Sequence, residues 1–531
     1  MPFLHLKNLC HVHAQRTPTK IAFKDSERSI SFLDYDIRTN KLANALISNF
    51  HLNKGDKIAV LINNCIEFVE IYLGCAKAGI IIVPINFRLN EKEISYICQN
   101  SDAKVLITEE KYVERIDTLR KDFLPETCPL KNFIQIKQNI QPGYMSYEDL
   151  LSKASSNELT VPIADNDPWL ILYTSGTTGT PKGVIRSHIS YTAFFLINAV
   201  DYSFTINDIG LTIMPLFHVN STFYAFVFTY LGASVYIARE YNFDPEEFLQ
   251  IVDSEKITFT SLIPSHYQII FSLPEEISNK YNKTSLTKLL TSSAPVREKT
   301  KLQIMKFFPN AKLFEAYGST EAGLVTILRP EEQLNKLGSI GRECSGTDLI
   351  KIMDSKTQTP VQVGQIGEIF ARSPMMFSKY YKLPDKTSAS LLPDGYFATG
   401  DMARKDNDGY YYLVDRKHNI IITGGEKVYP SEIETALTSH EGIMDCAALG
   451  IPDDKWGELV TAFVIPDEKY KGKITEEELM NYCKEHLSSY KRPKKIIFLS
   501  MEEMPRTSSG KILHRVLRDK YSKLNEQEVS L

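Results

Sequence analysis

The sequence predicts an α/β protein: a large amino-terminal domain of doubly wound, mostly parallel sheets with a small β subdomain, followed by a small, mobile α+β carboxyl-terminal domain. Three observations predict it. Up to about residue 330, short apolar runs alternate with longer amphipathic segments, which is the rhythm of βαβ units. From about 336 to 415 the rhythm changes to short strands separated by glycine-rich turns, and beyond that two helical stretches mix with strands. At 531 residues the chain is also too long for one hydrophobic core. The expected division is a large domain over 1–416 and a small one over 417–531.

Taken in order, "KIAVLI" reads as a buried strand, "EFVEIYLGCAKAG" as a helix, "IIIVPI" as a strand, "NEKEISYICQNSD" as a helix and "KVLIT" as a strand. The alternation returns at "IGLTIMPL", "ASVYIAR", "DPEEFLQIVDSEK" and "TFTSLI". "GQIGEIFAR" and "DNDGYYYLVD" supply the strands of the β subdomain. In the last domain "PSEIETALTSH" and "TEEELMNYCKEHLSSY" read as helices and "ELVTAFVIP" as a strand, with the terminal "KLNEQEVSL" frayed.

With 43% hydrophobic and 24% charged residues the composition is that of an ordinary soluble globular protein. A net charge of -4 gives no whole-chain bias toward nucleic acid or anionic membrane. The 8 cysteines are scattered without a C-x-x-C pair, which argues against a zinc ribbon or a disulfide framework and for a reducing cytoplasm. The amino terminus lacks the apolar core and cleavage site of a secretory signal, and no apolar run approaches the roughly 18 residues of a membrane span.

The stretch "YTSGTTGTPKGV" at 173–184 carries the chemistry. It follows the buried strand "WLILY" and precedes a segment that reads as a helix from His188, so it is expected to be a strand-to-helix loop where backbone amides converge on an anion. Gly176, Gly179 and Gly183 allow close backbone approach, and Lys182 adds a point charge suited to phosphate. The spacing is not that of the ordinary P-loop. On local chemistry alone a flexible Ser/Gly linker fits equally well.

Further motifs follow: "PLFHVN" at 215–220, "YGSTE" at 317–321, "TGD" at 399–401, "DRKHNIIITGGE" at 415–426 and "PRTSSGK" at 505–511. In this order and over nearly the whole chain they resemble the adenylate-forming superfamily of acyl-CoA synthetases, aryl-CoA ligases, peptide-synthetase adenylation domains and beetle luciferases. The resemblance implies attack of a carboxylate on the α-phosphate of ATP, release of pyrophosphate, and transfer of the acyl group from the adenylate to CoA. Both reactants of the first step are anions, so catalysis rests on positioning and on cations placed where charge develops.

Carried over residue by residue, the resemblance makes Thr174, Ser175, Gly176, Thr177, Thr178, Gly179 and Lys182 the phosphate loop, and Ala294, Pro295, Tyr317 and Gly318 the nucleotide wall. It makes Thr320 a donor to the α-phosphate, Glu321 the Mg2+ ligand, and Asp401 with Arg416 the pair that holds the ribose hydroxyls. Lys511 matches the catalytic lysine, and His218 the gate beside the carboxylate pocket, with Asn220, Ser221 and Thr222 following it toward the acyl site. Gly424 and Gly425 resemble the lining of the pantetheine tunnel, a plain turn being the alternative. His418 stands at the pivot where the family usually has Asp or Lys, a substitution that makes the pivot's charge sensitive to pH near neutrality.

The segments "VPINFRLNEKEISYICQNSDAKVLI" and "MPLFHVN" resemble the fatty acid-CoA and crotonobetaine/carnitine-CoA ligase branches. ATP, Mg2+ and CoA are the expected cofactors and co-substrates, and a homodimer is compatible with the family. The alternative is a stand-alone enzyme that loads an acyl, aryl or amino acid onto a separate carrier protein. No aspartate of the kind that holds a substrate ammonium stands in "FHVNSTFYAF". A third reading, a non-catalytic binding protein with the same fold, is disfavoured by the presence of Lys182, Glu321, Asp401, Arg416 and Lys511.

Overall fold

The computed structural model describes residues 5–137, 139–174, 180–239, 243–293, 296, 298–354, 356–453, 455–507 and 511–529. The chain forms two compact units. The first comprises Met1–Leu337, Glu343–Leu349 and Arg372–Phe397, and the second Gly338–Arg342, Ile350–Ala371 and Ala398–Leu531.

The first unit is built on two large sheets. In one, the strands Ile81–Pro84, Lys57–Leu61, Ala103–Thr108, Asn132–Gln135 and Met145–Ser146 run parallel and side by side. Their near-continuous Ile, Val, Leu and Ala content is what burial on both faces requires. Pro168–Thr174 extends this sheet parallel to Ile81–Pro84, then turns back as Lys182–Ser187 in antiparallel register. The edge is closed by a two-residue strand, Lys379–Tyr380, antiparallel to Lys182–Ser187.

The second sheet runs in the order Gly323–Leu328, Lys312–Ser319, Lys288–Ser292, Phe259–Leu262, Ile209–Thr212, Ser234–Ile237, Ile21–Lys24 and Ser29–Ser31. It is parallel through its middle, with antiparallel hairpins at both ends. The helices His188–Asp201 and Val219–Leu231 join the two sheets through an aromatic centre. Trp169 meets Tyr191 and Phe226 edge-on, and Phe194 stacks on Phe223 with centroids 3.6 Å apart.

The second unit contains the small β subdomain, with strands Lys351–Met353, Gly367–Ala371, Phe397–Lys405 and Tyr411–Arg416. Its other sheet pairs Ile443–Asp453 with Gly457–Pro466, and Lys495–Phe498 joins the latter in parallel. The period-two alternation of these strands sorts the core into two layers. Cys446, Ala448, Val460, Ala462 and Val464 pack on Ile433 and Leu437 of helix Pro430–Thr438 and on Leu479 and Cys483 of helix Glu476–His486. Ala447, Leu449, Phe463 and Ile465 face Leu517 of helix His514–Val529.

Two sequence expectations change. The phosphate-loop segment does not lead from strand to helix, because "KGVIRS" forms the second strand of a hairpin, and helix His188–Asp201 begins only after it. Lys182 and Gly183, read as the end of the loop, already pair with Thr174 and Tyr173. The terminal segment is helical as far as Val529 instead of fraying at 523. All 8 cysteines are free and buried. Among the described residues no helix is long and apolar enough to cross a membrane.

Candidate active site

The hairpin Pro168–Thr174/Lys182–Ser187 brings Thr174 and Lys182 opposite each other at its open end. Ser175, Gly176, Thr177, Thr178 and Gly179 lie outside the described residues, as do Ala294 and Pro295. Gly183 is required by packing, since a Cβ there would stand 2.8 Å from Ile171 and 3.2 Å from Tyr173. Lys182 places its ammonium 5.0 Å from the centroid of the Tyr380 ring, in the closing edge strand.

The "YGSTE" motif is the tip of a second hairpin, Lys312–Ser319/Gly323–Leu328, in which Ser319 pairs with Gly323. Gly318 sits where a Cβ would meet the Gly323 carbonyl oxygen at 2.2 Å, so no other residue fits this hairpin. Tyr317, in register with Thr326, is half-buried. The tip is fastened at every residue. Ser319 Oγ accepts from the Ala322 amide at 3.0 Å, the Phe377 amide donates to Glu321 O at 2.7 Å, and Arg186 Nη1 donates to Thr320 O at 2.8 Å.

The Glu321 side chain is held as well, its Oε1 accepting from the Tyr380 hydroxyl at 3.0 Å. Burial, with the Glu321 charge beside it, pushes the Tyr380 phenol well above its usual range, so it stays a donor. The turn of one sheet is thus tied to the edge of the other, and Lys182, Tyr380 and Glu321 form a continuous line in the first unit. Tyr380 and Arg186 were not singled out by the sequence. The one signal available was an arginine inside the apolar strand "GVIRS".

His218 is half-buried at the residue before helix Val219–Leu231, its ring 4.5 Å from that of Phe217. Asn220 Nδ2 donates to Ser292 Oγ at 2.9 Å, at the carboxyl end of a parallel strand where α/β sheets bind ligands. The other two polar residues of this turn face inward: Ser221 donates to Met214 O at 2.6 Å, and Thr222 bonds Val219 O and the Tyr191 hydroxyl. Their hydroxyls are committed to the fold, so the expectation that they reach an acyl site is not met. Phe223, Tyr224 and Phe226 are buried in the aromatic centre, the outcome of ordinary helix packing.

In the second unit Asp401 and Arg416 are directly opposed on adjacent antiparallel strands, with Arg416 Nε 2.6 Å from Asp401 Oδ1. Asp401 is 5% exposed. Its backbone amide donates to Thr399 Oγ1 at 3.1 Å, and Gly400 between them has φ +76°, a conformation that favours glycine. Burial, helped by the Arg416 charge, lowers the His418 pKa despite Asp401 nearby.

Gly424 and Gly425 form the two-residue turn of hairpin Ile421–Thr423/Glu426–Val428, with φ +58° and +85°. Two successive positive φ values are the demand of a type I′ turn, which accounts for the pair by conformation alone. A Cβ on Gly424 would stand 3.3 Å from the Trp456 ring, whereas one on Gly425 would meet nothing. Lys511 is exposed. Its amide donates to Thr507 Oγ1 at 3.0 Å and its carbonyl accepts from the Thr507 amide at 2.8 Å, closing a loop whose residues Ser508, Ser509 and Gly510 lie outside the described set.

Comparison with known proteins agrees with these motifs. Residues 10–381 match the AMP-binding enzyme family and residues 432–511 the AMP-binding enzyme C-terminal domain. The chain is 32% identical over 489 residues to the long-chain-fatty-acid–CoA ligase FadD13 of Mycobacterium tuberculosis, covering 91% of this chain and 92% of the relative. It is 29% identical over 517 residues to the fatty acid–[acyl-carrier-protein] ligase ScoC of Streptomyces coeruleorubidus, covering 96% and 95%. Among solved structures it superposes on the anthranilate CoA ligase AuaEII in complex with anthranoyl-AMP with a TM-score of 0.89, 25% identity and 99% coverage of both chains.

The chain belongs to the AMP-binding enzyme family, the adenylate-forming enzymes. It is an acid–thiol ligase: an ATP-dependent acyl-CoA synthetase that activates a carboxylic acid as an acyl-adenylate, releasing pyrophosphate, and passes the acyl group to CoA.

Proposed function

We propose that the acid is aliphatic and that the reaction is carried by the residues the motifs single out. The observation that supports these residue roles is the line Lys182–Tyr380–Glu321, which sets a cation and a carboxylate on either side of one tyrosine at the mouth of the phosphate hairpin; the aliphatic acid rests on the likeness to FadD13. In this reading Thr174 to Gly179 and Lys182 hold the phosphates of ATP, Tyr317 and Gly318 with Ala294 and Pro295 flank the nucleotide base, and Thr320 donates to the α-phosphate. Asp401, supported by Arg416, accepts from the ribose hydroxyls. Lys511 neutralises charge as the carboxylate oxygen bonds to phosphorus and pyrophosphate leaves. His218 borders the acid.

Glu321 fits a magnesium ion. It is a hard oxygen donor, half-buried, and Tyr380 engages Oε1 while Oε2 has no partner among the described residues. Bound with ATP, magnesium would supply neutralisation of the phosphate charge; this chain's part is to orient the carboxylate.

The second half-reaction is attack of a thiol on the acyl carbon with loss of AMP. His418 as pivot, between a domain of residues 1–416 and one of 417–531, and Gly424–Gly425 as tunnel lining belong to this step. Likeness to FadD13 favours a fatty acid and CoA. Likeness to ScoC favours the second reading, in which the acceptor is a carrier protein. The 8 buried free thiols suit a reducing cytoplasm.

The experiment is pyrophosphate release with Mg-ATP over fatty acids of graded length, crotonobetaine, carnitine, benzoates and amino acids, each with and without CoA. CoA-dependent turnover with an aliphatic acid is the expected result. Release that stops after about one equivalent with CoA present, and resumes with a holo-carrier protein, would give the carrier reading instead.

A further inference from the structure

Side chains alternate along a strand, so Lys182, Val184 and Arg186 share one face of Lys182–Ser187. Lys182 is at the hairpin mouth; Arg186 is 0% exposed. Its guanidinium carbon lies 5.4 Å from the Tyr191 ring centroid and 5.1 Å from that of Phe223. Nη1 donates to the Thr320 carbonyl at 2.8 Å, while Nε and Nη2 have no partner among the described residues.

Such an arginine is costly. Full burial of a charge with N–H groups unmet opposes folding, and aromatic faces return only part of the loss. Burial accordingly lowers its pKa to about 10, with Tyr191 and Glu321 acting in the opposite sense, so the side chain remains a cation at neutral pH. Among the described residues its one hydrogen bond goes to the peptide that joins Thr320 to Glu321. That peptide's neighbours are already pinned by Phe377 and Tyr380, so the guanidinium completes the fixing of the tip. Through Phe223 and through Tyr191, which is bonded to Thr222, the same group touches the helix that begins beside His218.

We propose that Arg186 is a positioning residue for adenylate formation: it sacrifices stability to hold the Thr320–Glu321 peptide in one orientation between the phosphate hairpin and the acid-pocket helix. The proposal rests on the roles given above to Thr320 and Glu321.

The test uses Arg186→Met, Arg186→Lys, Thr320→Val and Glu321→Gln in the full-length enzyme, with three measurements: the thermal midpoint, the affinity for AMP with a chelator present, and acid-dependent pyrophosphate exchange. Arg186→Met removes the desolvation cost of a buried cation with Nε and Nη2 unmet, and this offsets the Thr320 carbonyl that it leaves without a donor. Arg186→Met should therefore melt at or above the parent temperature while AMP affinity falls about tenfold, the usual order for a lost charge-assisted hydrogen bond. Arg186→Lys, with charge but no planar fork, should recover part of that affinity and part of the exchange rate.

A lowered midpoint with unchanged AMP affinity in Arg186→Met would make the residue structural only and overturn the proposal. If Arg186→Met does not fold, the proposal stands or falls on Arg186→Lys, which must retain the midpoint and weaken AMP binding. Altered selectivity among acids at unchanged AMP affinity would also overturn it. If Thr320→Val and Glu321→Gln leave binding and exchange intact, it is the reading of the tip that fails. If they impair both and the Arg186 variants do not, only Arg186 is misassigned.

Discussion

Tyr380→Phe isolates one atom of the site. The hydroxyl donates to Glu321 Oε1 at 3.0 Å, while the ring supports Lys182 at 5.0 Å and packs against Phe377 at 4.9 Å. Phenylalanine keeps both ring contacts, so the variant should fold as the parent does and Lys182 should keep its place. What is lost is one hydrogen bond to a charged acceptor, worth about 1.5–3 kcal/mol when no water replaces it. Glu321 is half-buried, and water can partly substitute, which puts the effect near the lower figure. About 1.4 kcal/mol corresponds to a tenfold change in rate or affinity. The assay is ATP–pyrophosphate exchange at graded magnesium concentrations. The variant should need roughly tenfold more magnesium for half-maximal exchange, with the KM for the acid unchanged. Parent-like exchange across the whole magnesium series, with a parent-like thermal midpoint, would refute the idea that Tyr380 sets the carboxylate.

Asp401→Ala should raise the KM for ATP at least tenfold through loss of a charged acceptor for the ribose hydroxyls, while the acid KM holds. Lys511→Ala should slow acid-dependent pyrophosphate release by roughly 10²-fold with the fold intact, and unchanged release would remove the lysine from the adenylation step. Gly425→Ala meets no neighbour, yet φ is +85° there, so the hairpin should lose on the order of 1 kcal/mol. If the tunnel assignment holds, thioester formation falls while adenylation does not; an equal fall in both would count against it. Burial, reinforced by the Glu434 charge, raises the Asp415 pKa from 3.8 to about 6. The folded unit therefore holds a proton that the unfolded chain releases between those values, and stability present below pH 4 is lost as pH rises through about 6. Asp415→Asn should flatten that slope, read by amide exchange in helix Pro430–Thr438.

Much of this was legible in the chain because its signals are local. The buried strands from Lys57 to Thr108 announce themselves as unbroken aliphatic runs, and the helices between them carry caps such as Asn90 with Glu93. The hairpin after Thr174 was misread because its second strand opens with Lys182 and Gly183, residues of loop character whose pairing is decided by Thr174 and Tyr173 across the turn. Tyr380 and Arg186 were missed for a different reason. The two-residue strand of Tyr380 has no periodicity, and neither residue is near Glu321 in sequence, so only the meeting of the two hairpins and the sheet edge brings them to it. Ser221 and Thr222 show the converse, since polar residues beside a functional motif can belong to the backbone of their own helix turn.

The edge strand also sets an order of events during synthesis. Lys379 pairs with Ile185, so Lys182–Ser187 leaves the ribosome roughly 190 residues before the segment that covers it. At about 5–20 residues per second this is on the order of 10–40 s during which an unpaired, Val- and Ile-bearing edge stands open beside the growing chain. Ile21–Lys24 waits in the same way for Ser234–Ile237. The nascent enzyme thus spends most of its translation as a partly assembled pair of sheets, dependent on whatever shields open edges until Tyr380 arrives.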